Sequence, residues 1–160
     1  MNYISSDIPQ ANRLDLLVEV VVALNQARFS PEDIIEIIRR KTGKTYRLRQ
    51  AGYYGDAGVC FGLLQATGLG YMRTQLGDRL KQASQDAERI EVLREALLTT
   101  PIIADLEKTF LQQPAVVLTA HNLSLWLKNH SDLSTSTVKR RASSLMRYLE
   151  FLIESGEAHV

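Results

Sequence analysis

Residues 134–153 read STSTVKRRASSLMRYLEFLI, and this stretch carries the strongest structural signal in the chain. When successive residues are turned by about 100°, as in an α-helix, five apolar side chains fall on one narrow stripe. The stripe consists of Val138, Ala142, Leu145, Leu149 and Leu152. The spacing therefore predicts a long helix with this stripe packed against a core.

The other side of this predicted helix is basic and rich in hydroxyl groups. With its flanks it carries Ser136, Thr137, Lys139, Arg140, Ser143 and Arg147. Cations near the amino-terminal end of a helix are unfavourable by a few tenths of a kcal/mol, and an anionic partner would reverse that effect. For a helix taken alone, a solvated basic face is the simpler interpretation. The segment before this helix favours an anionic partner instead.

That preceding segment has the pattern of a capped helix followed by a short turn. Thr119 is a good N-cap for a helix whose apolar face contains Leu123, Trp126 and Leu127. A capped helix, a turn and a second helix with an exposed basic face is the order of a helix-turn-helix, in which the second helix contacts DNA. The sequence thus predicts a helix-turn-helix in the second half of the chain.

The first half repeats this order. Ser30 and Pro31 predict a helix start, Gly43 its end, and residues 53–64 a further helix. Residues 13–27 predict a helix before it, and residues 68–73 a turn and a strand. We therefore expect a mostly α fold with two winged helix-turn-helix lobes in tandem and short β wings. The expected division is an N-terminal tail at 1–12, a first lobe at 13–86 and a second lobe at 87–160.

The basic residues are concentrated, although the net charge is only +1. Ten of the 19 lysines and arginines lie in two short stretches: Arg39, Arg40, Lys41, Lys44, Arg47 and Arg49, then Lys139, Arg140, Arg141 and Arg147. The first stretch, 39–49, contains no acidic residue. The near-neutral balance favours a protein-binding scaffold, whereas the two clusters favour a nucleic-acid partner.

No motif for catalysis, a metal or a cofactor stands out. The histidines His121, His130 and His159 are scattered, and no glycine-rich phosphate loop is present. The single Cys60 excludes an intramolecular disulfide and suits a reducing compartment. The start of the chain lacks the pattern of a secretory signal, and no apolar run is long enough to span a bilayer. We expect a cytoplasmic protein that is not an enzyme, needs no cofactor and does not bind a membrane.

Four stretches together resemble a family of prokaryotic tandem winged-helix modules, found alone or at the amino terminus of restriction endonucleases and related defence proteins. They are RQAGYY at 49–54, FGLL at 61–64, QLGDRL at 75–80 and LSTSTVKRRASS at 133–144. In this family the first and last would contain the two DNA-reading helices. The resemblance implies DNA contacts by Arg47, Arg49, Gln50, Tyr53 and Tyr54 in the first lobe and by Arg73 on its wing.

Two functional hypotheses follow. The first is a DNA-binding module for restriction, defence or transcriptional control, in which Ser136 and Lys139 contact phosphate and Arg140 reads guanine. The second is a tandem winged-helix scaffold that binds a protein partner or forms a homodimer. Fold alone does not separate them. No nuclease domain follows Val160 in this sequence, which is consistent with a free-standing binder or with a fragment of a larger protein.

Overall fold

The computed structural model describes residues 2–23, 28–113 and 115–157. These residues form, in chain order, α1 (Leu14–Val22), α2 (Pro31–Thr42), α3 (Leu48–Cys60), β1 (Leu64–Thr67), β2 (Gly70–Arg73), α4 (Gln75–Gln82), α5 (Asp86–Leu98), α6 (Pro101–Leu106), α7 (Ala120–Asn129) and α8 (Thr135–Glu157). The prediction of a mostly α fold is confirmed. Among the described helices, none has both the length and the apolar composition that crossing a membrane requires.

Helix α2 begins and ends where the sequence predicts. The Ser30 hydroxyl accepts a hydrogen bond from the Asp33 backbone N–H at 3.3 Å, and Pro31 occupies the first helical position. Gly43 ends the helix with φ = 76°, a left-handed conformation that favours glycine. The chain therefore leaves α2 at Gly43 and turns toward α3.

Helix α3 is followed by an antiparallel hairpin rather than by more helix. The predicted helix at 53–64 is displaced, because α3 begins at Leu48 and ends at Cys60, and Leu64 already pairs with Arg73 in the hairpin. Phe29 adds a bridge at the outer edge of β2, exchanging two backbone hydrogen bonds of 2.8 Å with Tyr71. The first half thus has the order helix, extended residue, helix, helix and hairpin. The predicted helix at 13–27 also ends earlier, at Val22, and residues 24–27 lie outside the described part of the chain.

The second half contains helices α5 to α8, and a π-helical turn at Glu107–Leu111 continues α6. Its residues at 87–113 and 115–157 form no hairpin, which corrects the expectation of a second β wing. The extended pairing found in this half involves Tyr3, a residue near the start of the chain. Tyr3 forms a parallel bridge with Ser131 and donates its backbone N–H to the His130 carbonyl at 2.7 Å.

Residues 3–12, which we call the N-terminal strap, are packed against α8 and are not a loose tail. The Arg141 guanidinium donates to the carbonyls of Ser5 at 2.8 Å and Ile8 at 3.0 Å. The Tyr148 hydroxyl donates to the Ala11 carbonyl at 2.6 Å. The strap, which lies within the predicted N-terminal tail at 1–12, is therefore packed beside α8.

The apolar stripe predicted on α8 is buried. Each of Val138, Ala142, Leu145, Leu149 and Leu152 is at most 3% exposed. The hydrophobic cluster that contains the stripe also includes α1, α2 and α3 residues, so both halves of the chain share one core. At the junction, Tyr148 packs edge-on against Phe61 with ring centroids 5.0 Å apart. This packing fixes α8 relative to the end of α3.

Candidate functional site

The start of α3 presents several of the predicted residues on the surface. Arg47, Arg49 and Gln50 are exposed, and Tyr53 is half-buried. The Gln50 side-chain oxygen accepts the Arg47 backbone N–H at 3.0 Å, which leaves the Gln50 amide nitrogen as a donor. The Arg49 guanidinium lies 5.8 Å from the Tyr53 ring centroid, a cation–π contact. This end of α3 is therefore accessible, cationic and held in place locally.

Two residues predicted for the first lobe do not belong to this surface. Tyr54 is only 5% exposed, its ring packs against Tyr46, and burial raises the pKa of its hydroxyl. The Arg73 side chain is 10% exposed and pairs with Asp78 at 3.1 Å while donating to the Val21 carbonyl at 3.2 Å. Both contacts anchor the hairpin to neighbouring helices. The exposed surface at the start of α3 therefore contains neither Tyr54 nor Arg73.

The predicted residues of α8 are mostly exposed. This holds for Ser136, Lys139, Arg140, Ser143 and Arg147, whereas Thr137 is half-buried and accepts a hydrogen bond from the Ser134 hydroxyl at 2.9 Å. Arg147 lies 3.7 Å from Glu150. Lys139 and Arg140 form no ion pair with any residue in the described ranges. The basic charge that remains available on α8 is thus near its amino-terminal end.

The basic stretch at 39–49 is less uniform than its sequence indicates. Arg39 and Arg40 pair with Glu36 at 2.6 and 3.1 Å, and the hydrogen bonds from Arg39 lower the pKa of Glu36 to about 2. Lys41 lies 3.6 Å from Glu19. Two acidic residues outside the stretch, Glu36 and Glu19, therefore pair with three of its six cations. The cations without an ion pair to the described residues are Lys44, Arg47 and Arg49.

A groove of about 340 Å³ lies between α3 and α8, and we call it the interhelix groove. Its walls include Lys44 from the turn after α2, Gln50 and Tyr53 from α3, and Arg140 and Ser144 from α8. The strap and the residue after it contribute Gln10, Asn12 and Arg13. The lining thus contains three cations and no acidic side chain, and one of the cations, Arg13, is paired with Asp15 at 2.7 Å. Four predicted residues meet here: Arg140 from α8, and Gln50, Tyr53 and Tyr54 from α3.

The other exposed cations of α8 lie on its opposite flank. A second groove of about 470 Å³ separates α8 from the start of α7, and Lys139, Ser143 and Arg147 line it beside His121. The basic face of α8 is therefore divided between two grooves. Arg140 is the exposed α8 cation that lines the interhelix groove.

One site feature was predicted in part, and another was not identified from the sequence. The basic stretch predicts that Lys41 and Lys44 contact the DNA backbone; Lys44 lines the interhelix groove, whereas Lys41 pairs with Glu19. Arg141 was grouped with its basic neighbours, yet it is 5% exposed, and burial lowers the pKa of its guanidinium. Its partners in the strap are distant in sequence, so no local pattern indicates its burial.

The chemistry of the remaining reactive side chains is that of structural residues. In the described ranges, no three residues among the histidines, cysteines and acids are grouped closely enough to hold a metal ion. His130 stacks on Trp126 with centroids 4.1 Å apart, and its Nδ1 lies 2.7 Å from the Trp126 carbonyl. Burial raises the pKa of the Cys60 thiol to about 11, so the reactive thiolate is scarce at neutral pH.

Comparison with known proteins identifies a family whose function is unknown. No curated protein and no solved structure matches the chain. Residues 17–157 match the family described as a domain of unknown function, DUF7226. The match runs from within α1 to the end of α8 and so includes both helices of the interhelix groove. The chain therefore belongs to the DUF7226 family.

Proposed function

We propose that this chain is a non-catalytic cytoplasmic module that binds duplex DNA through α3 and α8. The observation that carries the proposal is the interhelix groove. Lys44 and Arg140 both line this groove, and no acidic side chain does. Cations that lack an ion pair, next to amide and hydroxyl donors, suit the oxygens of phosphodiesters. DNA supplies such oxygens in a regular array.

The order of elements supports a winged-helix interpretation of the first half. Helix α1, the extended residue Phe29, helices α2 and α3 and the β1–β2 hairpin follow one another as the parts of a winged helix do. In that fold α3 would be the reading helix and the hairpin the wing. Helices α7 and α8 repeat the two-helix part of the order, with α8 as the second reader.

The electrostatics of both helices favour an anionic partner. Neither α3 nor α8 has an acidic residue in its first turn. Arg47 and Arg49 lie at the start of α3 instead, near the positive end of its dipole, where a cation is unfavourable unless an anion binds. On the exposed face of α8, Ser136 and Lys139 remain candidates for phosphate contacts. Arg140, which the sequence predicts as a guanine contact, lines the interhelix groove and would contact phosphate there. The resemblance seen in the sequence suggests a role in restriction, defence or transcriptional control.

A matched pair of variants tests the proposal. Lys44→Ala combined with Arg140→Ala is expected to weaken binding to a short fluorescent duplex about tenfold or more, because two phosphate contacts are lost. The control combines Arg39→Ala with Arg40→Ala, which removes the same charge from residues that are already paired with Glu36. This control is expected to change affinity by less than about threefold.

Fluorescence anisotropy at a fixed moderate salt concentration measures both variants, and circular dichroism verifies that they are folded. Equal losses in the two variants would show that only net charge matters, and would contradict a site in the interhelix groove. An unchanged affinity in the Lys44 and Arg140 variant would contradict it as well.

A protein-binding scaffold is the second candidate function, and one observation favours it. A groove of about 630 Å³ with mainly apolar walls lies between the strap, α3 and β1, and Ile4 at its edge is 59% exposed. Such concave apolar surfaces often receive a side chain of a partner or of a second copy. A scaffold would show weak DNA affinity and no effect of Lys44 or Arg140.

A further inference from the structure

We infer that α3 and α8 bind one short segment of DNA backbone together, as a single composite site, and do not read two separate major grooves. This inference rests on the proposed function and specifies how the DNA is held. The two helices meet at one groove, which is lined by Gln50 and Tyr53 of α3 and by Arg140 of α8.

The size of the interhelix groove limits what can fill it. Its volume of about 340 Å³ leaves room for about one phosphate group of a single strand. Successive major grooves on one face of DNA are about 34 Å apart, much farther than two helices that share the walls of such a groove can reach.

The two halves of the chain are also held together. The strap lies along α8, where it accepts hydrogen bonds from Arg141 and Tyr148. The start of the strap also contacts the second half of the chain. There the Tyr3 backbone N–H donates to the His130 carbonyl, and the Tyr3 hydroxyl donates to the Asp105 carboxylate. Phe61 at the end of α3 packs against Tyr148. The strap also contacts α3, where the Cys60 thiol donates to the Asp7 carbonyl at 3.5 Å. The Phe61–Tyr148 packing and the strap therefore hold α3 and α8 together beside one common site.

The donors in the groove match a phosphodiester. Lys44 and Arg140 supply charge, and the Gln50 amide nitrogen remains a donor because its oxygen is occupied by the Arg47 N–H. The Ser144 hydroxyl already donates to Asn12, so Ser144 shapes the wall and does not contribute its proton. Lys44, in the turn after α2, and Arg140, on α8, thus act on the same stretch of phosphate backbone from two walls of the groove.

The first test is the length of duplex that the whole chain needs. A composite site is expected to reach its full affinity per site with a duplex of about 10 base pairs, whereas two readers in successive major grooves need at least about 15. A series of fluorescent duplexes from about 8 to 24 base pairs, measured by anisotropy, distinguishes the two. An affinity per site that continues to rise more than about tenfold between 10 and 20 base pairs would overturn the inference while leaving DNA binding itself intact.

The second test is a double-mutant cycle on the same duplex. If Lys44 and Arg140 share phosphates, the double alanine variant should lose at least about threefold less affinity than the product of the two single losses. The control cycle pairs Lys44→Ala with Lys139→Ala, because Lys139 lines the other groove, and its losses should multiply within about twofold. Multiplying losses in both cycles would overturn the inference. Absence of DNA binding in the wild type would overturn the proposed function together with it.

Discussion

Leu145→Ala is expected to lower the free energy of unfolding by about 2 to 5 kcal/mol, because it removes a fully buried side chain from the centre of α8 and leaves a cavity. The control is Ser143→Ala, two residues away on the exposed face, which should change the free energy by less than about 0.5 kcal/mol. Chemical denaturation followed by circular dichroism gives both values. Similar losses for the two variants would mean that α8 packs with another face.

Arg141→Ala is expected to lower the free energy of unfolding by about 2 to 4 kcal/mol. The guanidinium is buried and donates to the Ser5 and Ile8 carbonyls and to the Ser5 hydroxyl, at 2.7 to 3.0 Å. Alanine would leave these acceptors without their donor and release the strap from α8. A hydrogen bond that involves a charged group contributes more than one between neutral groups, which explains the expected size.

The neighbouring arginine supplies the control. Arg140→Ala removes the same side chain from an exposed position of the same helix and should change the free energy of unfolding by less than about 0.5 kcal/mol. Both variants are measured by urea denaturation. If Arg141→Ala were as mild as Arg140→Ala, the strap would not contribute to stability in the way that its contacts indicate.

Local patterns in the sequence were enough for the helices with clear ends and faces. Ser30 and Gly43 bound α2, and the apolar period of residues 138–152 gives the buried side of α8. Both signals act within one helix, where capping and periodicity determine the structure directly. The same reasoning failed at Leu64, where the apolar spacing of a helix continued into a strand of the hairpin.

The candidate site was only partly predictable, because its membership depends on contacts between distant residues. Arg140 and Arg141 are identical neighbours, yet one is exposed and the other is bound to strap residues more than 130 positions away. Arg73 likewise has the sequence context of a wing cation, but its side chain is held by Val21 and Asp78. Periodicity places a side chain on a face of a helix or strand and does not indicate what covers that face.

The same limitation applies to the basic stretch at 39–49. Its charges appear uniform in sequence, whereas the fold pairs Lys41 with Glu19 of α1 and leaves Lys44 beside Arg140. The availability of a cation for a phosphate is therefore a tertiary property. It is the property on which the proposed function depends.

The salt dependence of DNA binding by the wild-type chain tests the central claim most directly. Contacts by Lys44, Arg140 and their exposed neighbours to about two to five phosphates predict that the logarithm of the association constant falls linearly with the logarithm of salt concentration, with a slope of about −2 to −4.5. Anisotropy of one short duplex, measured between about 50 and 300 mM salt, gives this slope. A slope in that range, reduced by about 1 to 2 when Lys44 and Arg140 are both replaced by alanine, is the predicted result. A flat salt series, or a slope unchanged in that variant, would contradict it.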